Sequence, residues 1–200
     1  MTDAQGGNAD HAGFDPLLRI DWLEPGQLGD DLPGRLGLTI LPGKQGVSFR
    51  YPGRIYRRDL DEDLGMLRSA GVERLLLLVE DAELSRWSNP AIVERGAAAG
   101  VAIVRHPIPD GRPPASFGEM TEMLAEIREG RRTGNVAVAC MGGVGRSGTV
   151  AACALVQGGM SPHDAIATVR AVRHPTAVET AEQERFVATF ASAAQAGERA

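Results

Sequence analysis

One segment, residues 135–156, constrains the fold of this chain more than any other. It opens with an apolar run that ends at Ala139, passes through a loop with three glycines from Cys140 to Arg146, and continues as a largely apolar helical pattern to Val156. An apolar run of this kind is typical of a strand buried on both faces, as in parallel sheets that helices cover. The segment therefore predicts a strand, a tight loop and a helix, which are the parts of an α/β fold.

The rest of the chain alternates between apolar runs and helical patterns. Apolar runs at residues 75–79 and 101–104 predict two more buried strands. Helical patterns are predicted at residues 60–71, 89–100, 116–130, 161–172 and 180–190. The expected fold class is α/β, with a central, mainly parallel sheet flanked by helices.

The length of the chain predicts a single domain. Its 200 residues, 43% of them hydrophobic, suffice for one core but are too few for two ordinary domains. We expect residues 1–20 to be a flexible N-terminal tail, residues 21–190 the domain, and residues 191–200 a frayed C-terminus. Within the domain, residues 36–41 and 47–49 flank a Pro-Gly turn and predict two short strands that form a hairpin or an edge element.

Charge and N-terminal sequence narrow the possible partners. The formal charge of −5 and the pI near 5.4 argue against binding to nucleic acid or to an anionic membrane, because both need a basic face. The first ten residues lack the apolar core of a secretion signal, and no stretch is long enough to span a membrane. A cytoplasmic protein that captures any anionic ligand locally is expected.

The chain has two cysteines and four histidines. Two cysteines are too few for a disulfide framework and match no zinc-ligand spacing, and the histidines match no metal motif. No metal site is therefore expected. Cys153 lies inside a predicted helix among Ala and Leu, where a buried apolar role is favoured over a redox role. Cys140 is the candidate reactive thiol.

The loop after Ala139 has the parts needed to bind a phosphate group without a metal. Its glycines let the backbone curl so that N–H groups point inward, and the N-terminus of the following helix adds partial positive charge. The same field favours the thiolate of Cys140. Arg146 can hold two phosphate oxygens, and Ser147 can donate to the thiolate or to the departing sulfur. The residues predicted to bind phosphate are Met141, Gly142, Gly143, Val144, Gly145 and Arg146.

A cysteine and an arginine six positions apart are weak evidence by themselves, because chance matches occur. The strand before the loop, the glycines within it and the helix after it make the pattern specific. The alternative interpretation is a free core cysteine beside a structural turn with a surface arginine. That alternative gives no common reason for the three glycines and Arg146 to occur together in the loop.

A phosphate monoester leaves poorly as an alkoxide, so a general acid is needed, and Asp110 is the candidate. It lies in the proline-rich segment 106–114, after the predicted strand 101–104. If that strand runs parallel to the one before Cys140, both loops emerge at the carboxyl edge of the sheet. The prolines restrict this loop, and Gly111 can serve as the hinge of a lid. The alternative is that Asp110 and Gly111 form an ordinary surface turn.

Two further residues each have two interpretations. Gln183 can orient the water that hydrolyses a cysteinyl phosphate, or it can cap the helix that begins near Thr180. Arg112, beside the candidate acid, can contact a substrate, although an exposed, solvated arginine is the favoured interpretation.

Over residues 21–190 the chain resembles the protein-tyrosine phosphatases of the dual-specificity type. The loop sequence GGVGRS most resembles the kinase-associated phosphatase branch and its bacterial relatives, and the segment His106 to Gly111 matches the branch's Pro-Ile-x-Asp-Gly motif. The resemblance implies a phosphatase-type cysteine loop between strand and helix. It also implies a two-step reaction in which Cys140 takes the phosphoryl group with Asp110 as acid, and water then attacks with Asp110 as base. No metal or organic cofactor is implied.

The chain departs from the family pattern at Ala139, where the family usually has histidine. The residues between Cys140 and Arg146 carry no charge, whereas related phosphatases of inositol lipids often have lysines there. A phosphoprotein or a simple phosphomonoester is therefore the favoured substrate, with phosphotyrosine, phosphoserine or phosphothreonine and small molecules all left open. The oligomeric state is open as well.

Two other functions compete with a phosphatase. A rhodanese-like sulfurtransferase also uses a cysteine in a short anion-binding loop, but it needs no acid on a separate proline-rich loop, so Asp110 discriminates against it. A catalytically silent phosphate-recognition module would keep the loop without turnover. The presence of a nucleophile, an arginine and an acid together argues against such a module.

Overall fold

The computed structural model describes residues 17–24, 26–48 and 52–197. In chain order the strands are β1 (Asp21–Trp22), β2 (Leu36–Ile40), β3 (Gln45–Val47), β4 (Ile55–Arg57), β5 (Val72–Leu77), β6 (Ala102–Arg105) and β7 (Asn135–Cys140). Five of them form the central sheet, in the order β1-β2-β7-β5-β6, and a separate pair, β3 and β4, forms a second sheet. Only β1 is antiparallel to its neighbour in the central sheet. The predicted α/β fold with a mainly parallel sheet is confirmed.

Helices cover both faces of the central sheet. They are α1 (Leu60–Ser69), α2 (Asp81–Trp87), α3 (Ile92–Ala98), α4 (Phe117–Gly130), α5 (Arg146–Gln157), α6 (Pro162–Val172) and α7 (Ala181–Gly197). The buried side chains of α1 to α3 pack on one face and those of α4 to α7 on the other. Helix α5 is the most central of them, since its side chains are buried from Arg146 to Val156.

Strand β7 shows how this layering positions the loop. Because side chains alternate along a strand, Val136, Val138 and Cys140 point into the layer of α4 to α7. Ala137 and Ala139 point into the opposite layer. The Cys140 thiol therefore lies on the same face as α5, whose N-terminus follows the loop.

The hairpin predicted around the Pro-Gly turn is wrong. The first segment is strand β2, which lies inside the central sheet and pairs in parallel with β7, from Leu36 opposite Val136 to Ile40 opposite Cys140. The second segment, 47–49, overlaps β3 only at Val47, and β3 pairs with β4 instead, while Phe49 lies outside the described residues. The physical reason is burial, because β2 is buried over most of its length and an edge strand would expose that apolar surface to water.

Helix α2 has no counterpart in the sequence prediction. It buries only Leu84, so it has no apolar stripe that a periodicity argument could detect. A capping box starts it: Glu80 accepts from the N–H of Glu83, and Glu83 accepts from the N–H of Glu80. This helix end supplies a side chain to the candidate site.

The described ends of the chain reach beyond the predicted domain. Leu18 is buried, its N–H donates to the Met66 sulfur, and Ile20 packs on the same apolar cluster. Residues 1–16 of the predicted tail lie outside the described residues. At the other end, α7 continues past residue 190 to Gly197. None of the described helices is long and apolar enough to cross a membrane.

Candidate active site

The loop from Cys140 to Arg146 links the carboxyl end of β7 to the first turn of α5. Its backbone needs glycine at Gly143, which has φ +67°; a Cβ there would lie 2.3 Å from the Thr39 carbonyl oxygen. The loop therefore sits tightly against the neighbouring strand β2. This close fit holds it where the helix N-terminus can attract an anion.

Arg146 is buried beside the loop and is held by two carboxylates. Its Nη1 and Nη2 donate to the two carboxylate oxygens of Glu83, at 2.6 and 2.7 Å. Nη1 also donates to the Ile108 carbonyl at 2.8 Å, and Nη2 lies 2.9 Å from Asp110 Oδ1. Burial by itself would raise the pKa of Glu83, but the hydrogen bonds from Arg146, the N–H of Glu80 and the charge of Arg146 together outweigh it and lower that pKa. The site thus holds a fixed, charged guanidinium.

Cys140 is buried within the loop, and its surroundings favour the thiolate. Burial would raise the pKa of the thiol, but the charge of Arg146, the Ser147 side chain and the N–H groups of Ser147 and Val144 outweigh it. The pKa of Cys140 is therefore lower than that of an ordinary cysteine. The Ser147 hydroxyl is buried and has no hydrogen-bond partner of standard geometry among the described residues. It lies close enough to the sulfur to stabilise its charge.

Ala139 does not prevent this stabilisation. Its side chain points into the opposite layer of the sheet, away from the loop, and its carbonyl accepts from Leu78 N at 2.9 Å. The groups that lower the pKa of Cys140 come from the loop and from α5. The thiolate is thus supported without a histidine at this position.

Asp110 reaches the site from the loop that follows β6. Its side chain is 80% exposed and contacts Arg146 from the solvent side. The Thr180 hydroxyl donates to the Gly111 carbonyl at 3.0 Å and ties this loop to the segment before α7. Gly111 has φ +73°, a conformation that glycine adopts readily. The structure thus brings Asp110, Cys140 and Arg146 together, as the parallel-strand argument predicts.

One cavity of about 290 Å³ contains these groups. It is lined by Lys44, Ser48, Tyr56, Asp110, Gly111, Cys140, Met141, Gly142, Val144, Arg146, Glu179 and Thr180. Four of the lining residues were not predicted: Lys44 and Ser48 flank β3, Tyr56 lies in β4, and Glu179 lies in the segment before α7, while Thr180 was expected only as a helix cap. Their sequence neighbourhoods carry no recognisable motif, so only the fold reveals them.

Glu83 was not predicted either, because its helix was missed. The residue pairs with Arg146 across 63 positions of sequence, a separation that no local pattern records. The capping box of α2 was the one available signal, since Glu80 and Glu83 have the spacing of such a box. Glu83 acts through Arg146, whose guanidinium it orients.

Gln183 is fully buried and serves the start of α7. Its side-chain oxygen accepts from the N–H groups of Glu179 and Thr180 at 2.8 and 3.3 Å, and its amide nitrogen donates to the Arg112 carbonyl. Gln183 does not line the cavity. The helix-capping interpretation describes these contacts, whereas the role in orienting water stays a prediction.

The remaining candidates lie away from the cavity. Arg112 is exposed and forms an ion pair with Glu182 at 2.5 Å. Cys153 is buried in α5, and burial raises the pKa of its thiol, which makes it unreactive. In the part of the chain that the structure describes, no group of three or more His, Cys, Asp or Glu side chains is placed to hold a metal ion.

Comparison with known proteins agrees with this geometry. The family model of cyclin-dependent kinase inhibitor 3 (CDKN3) matches residues 15–166. The cyclin-dependent kinase inhibitor 3 of Rattus norvegicus is 32% identical over 178 residues, and that of Homo sapiens is 30% identical over 177 residues. Each alignment covers 86% of this chain and 78% of the relative.

Solved structures show the same fold. A kinase associated phosphatase (KAP), crystallised with its catalytic-site cysteine changed to serine, superimposes with a TM-score of 0.78 at 27% identity. The match covers 92% of this chain and 99% of that chain. The active form of Tk-PTP superimposes with a TM-score of 0.64 at 29% identity, covering 80% of this chain and 94% of the other.

Fold and site together place the chain among the protein-tyrosine phosphatases of the dual-specificity type. The loop motif and the segment around Asp110 predict this class, and the prediction is confirmed. Within the class, the chain belongs to the cyclin-dependent kinase inhibitor 3 family.

Proposed function

We propose that this phosphatase hydrolyses phosphate monoesters on proteins through a phosphocysteine intermediate on Cys140. The observation that carries the proposal is the position of Arg146, which contacts Asp110 at 2.9 Å and whose charge also lowers the pKa of Cys140. A nucleophile, an anion-binding group and an acid thus meet in one cavity. This is the set that phosphoryl transfer without a metal requires.

In the first step the Cys140 thiolate attacks phosphorus, and the bond to the ester oxygen breaks. Protonated Asp110 gives its proton to the leaving oxygen at the open side of the cavity. Arg146 and the loop N–H groups hold the equatorial phosphate oxygens and stabilise their charge in the transition state. Glu83 keeps the guanidinium in place through its two hydrogen bonds.

In the second step water attacks the phosphocysteine and its proton passes to the Asp110 carboxylate. The P–S bond breaks and Cys140 leaves as a thiolate, which the Arg146 charge and the Ser147 hydroxyl stabilise. Asp110 thereby returns to its protonated form. Its exposed position suits this exchange of roles, because the leaving group departs to solvent and the attacking water then enters from solvent on the same side.

A phosphorylated protein is the substrate class that the family supports best. The relatives carry the names of a kinase inhibitor and a kinase associated phosphatase, which favours a phosphorylated kinase as partner. The loop residues between Cys140 and Arg146 are uncharged, which fits a single phosphate group better than a polyphosphorylated inositol lipid. A cytoplasmic site of action, predicted from the sequence, accords with such a substrate.

Replacing Asp110 by asparagine tests the proposal. The amide cannot donate the proton of an acid, so kcat/KM on a phosphopeptide is expected to fall by roughly 10²- to 10³-fold. The loss should be much smaller on an aryl phosphate whose leaving group needs no proton. Asp61→Asn, which changes an exposed aspartate in α1 paired with Arg95, is the matched control and should retain activity.

Assays of thiosulfate turnover and of phosphopeptide binding, added to these kinetics, separate the competing functions. Equal rates for Asp110→Asn and the wild type on the phosphopeptide would contradict the role of Asp110. Turnover of thiosulfate without any phosphate release would favour a sulfurtransferase. Binding of phosphopeptide without release of phosphate would favour a silent recognition module.

A further inference from the structure

Four consecutive carbonyl groups of the loop accept hydrogen bonds from outside the loop. The bonds are Lys44 Nζ to Met141 O (3.1 Å), Arg173 Nη2 to Gly142 O (3.1 Å), Arg173 Nε to Gly143 O (3.0 Å) and Val178 N to Val144 O (3.2 Å). We call these three donors the carbonyl clamp. They come from the turn before β3, from the end of α6 and from the segment before α7.

The clamp determines which way the loop N–H groups point. In a planar trans peptide the C=O of one residue and the N–H of the next point in opposite directions. A carbonyl held outward therefore turns the following N–H inward. One peptide shows this directly: the Gly143 carbonyl binds Arg173, and the next N–H, that of Val144, points to the Cys140 sulfur. The same geometry applies to the N–H groups of Gly142, Gly143 and Gly145.

Arg173 is built into this position. Its side chain is only 7% exposed, and its Nη1 donates to Asp21 in β1 at 2.6 Å. The guanidinium lies against Gly143, where a Cβ would come within 2.7 Å of its Nη2. A residue with a side chain at Gly143 would thus displace the arginine as well as strain the loop. The position of Arg173 therefore requires glycine at residue 143.

Lys44 binds the first of these carbonyls, that of Met141, and is the single lysine of the chain. The residue is 8% exposed, lines the cavity, and places its ammonium 4.1 Å from the centre of the Tyr56 ring. The loop's own cation, Arg146, already faces the carboxylates of Glu83 and Asp110. Lys44 adds positive charge beside an anion that enters the cavity.

Val178 completes the clamp at a cost in backbone strain. It is a buried, β-branched residue with φ +59°, a conformation that such residues seldom adopt. Gly148 allows the approach, because a Cβ there would lie 3.0 Å from Val178 N. Strain retained beside the loop is typical of a backbone that must stay fixed for function.

We propose that Lys44 and Arg173 are positioning residues of this site, which hold the loop carbonyls outward so that the loop N–H groups stay aimed at the phosphate and at the Cys140 sulfur. The proposal rests on the proposed phosphatase function but concerns the resting enzyme. It assigns to two cations outside the loop the preorganisation that the glycines alone cannot provide.

The test follows the alkylation of Cys140 by iodoacetamide as a function of pH, read by mass spectrometry, with and without inorganic phosphate. This assay needs no turnover, and the protection by phosphate gives its Kd. Arg173→Met is expected to raise the pH midpoint of alkylation by about one unit and to weaken phosphate binding about tenfold. Lys44→Met should raise the midpoint by about half a pH unit and weaken phosphate binding by a few-fold.

Conservative variants separate hydrogen-bond geometry from charge. Lys44→Arg keeps a donor and a charge and should restore the wild-type values. Arg173→Lys keeps the charge, but its single nitrogen cannot occupy the three positions from which Nε, Nη1 and Nη2 of Arg173 donate to two carbonyls and Asp21. A defect of several-fold in the phosphate Kd should therefore remain. Lys44→Met and Arg173→Lys remain informative if Arg173→Met does not fold.

Arg131→Met is the matched control. Arg131 is likewise buried and donates to one backbone carbonyl, that of Gly34, and to Asp30, but far from the loop. Arg131→Met should lower the melting temperature without changing the pH midpoint of alkylation or the phosphate Kd.

Unchanged midpoints and Kd values in Lys44→Met and in the Arg173 variants would overturn the role of the clamp, as would an equal shift in Arg131→Met. A wild type that hydrolyses no phosphate ester would overturn the proposed function. The alkylation and phosphate-binding measurements would still test the clamp, because they need no turnover.

Discussion

Replacing Cys140 by serine is expected to lower kcat on a phosphopeptide by roughly 10⁴-fold or more. The loop stabilises Cys140 as a thiolate, whereas a serine hydroxyl stays protonated because its proton is far harder to remove, so serine is a much weaker nucleophile. Arg146 and the loop N–H groups remain in place, so the phosphopeptide should still bind with a Kd within a few-fold of the wild-type value. The measurements are steady-state kinetics and calorimetric titration of the same preparation.

Cys153→Ser is the control for that experiment. It makes the same chemical change in the same helix layer, but at a buried thiol that does not line the cavity. Its kcat per folded molecule should match the wild type, although the buried hydroxyl lowers stability. More than a tenth of the wild-type kcat in Cys140→Ser would contradict the role of Cys140, and so would a complete loss in Cys153→Ser alone.

The second large effect is expected at Arg146. Arg146→Lys keeps the charge but loses the planar fork that binds Glu83 through two nitrogens and reaches Asp110. We expect kcat/KM to fall by about 10³-fold, in the range seen when an arginine that stabilises a phosphoryl-transfer transition state is removed. Inorganic phosphate should also compete more weakly.

The control at this position is Arg132→Lys, which changes an exposed arginine paired with Glu129. Its kcat/KM and its inhibition by phosphate should stay at the wild-type values. If Arg146→Lys retained wild-type kcat/KM, Arg146 would be a structural partner of Glu83 and nothing more.

The sequence predicts the site best where the signal is local. Strand β7, the glycine loop and helix α5 are consecutive, so their patterns of burial and glycine placement can be recognised together. Asp110 is predictable for a related reason: parallel strands bring the loops at their carboxyl ends to one edge of the sheet. The proline-rich segment around it marks that loop.

The sequence fails where the signal depends on distant pairing. The two strands around the Pro-Gly turn are adjacent in sequence, yet β2 pairs with a strand about 100 residues away. Glu83, Lys44 and Arg173 contact the loop across separations of 63, 97 and 30 residues. Each looks like an ordinary surface charge in the sequence, and only the folded chain shows that all three are directed at one loop.

Gln183 illustrates a limit of a different kind. Three positions after Thr180, it fits both a water-orienting and a capping role, because the spacing of a cap is also a common spacing on one helix face. In the structure its oxygen is used by two backbone N–H groups. The choice between the roles depends on which atoms are already bonded, and a sequence does not record that.

The central claim is that Cys140 becomes phosphorylated during turnover, and rapid-quench mass spectrometry of the Asp110→Asn variant tests it most directly. With an aryl phosphate the first step needs no acid, whereas the second step lacks its base, so the intermediate should accumulate. We predict a phosphoryl group on the peptide that contains Cys140, formed in a burst close to one per enzyme molecule and absent from Cys140→Ser. Continuous phosphate release by the wild type and the Asp110→Asn variant, with Cys140 unmodified in both, would contradict the account.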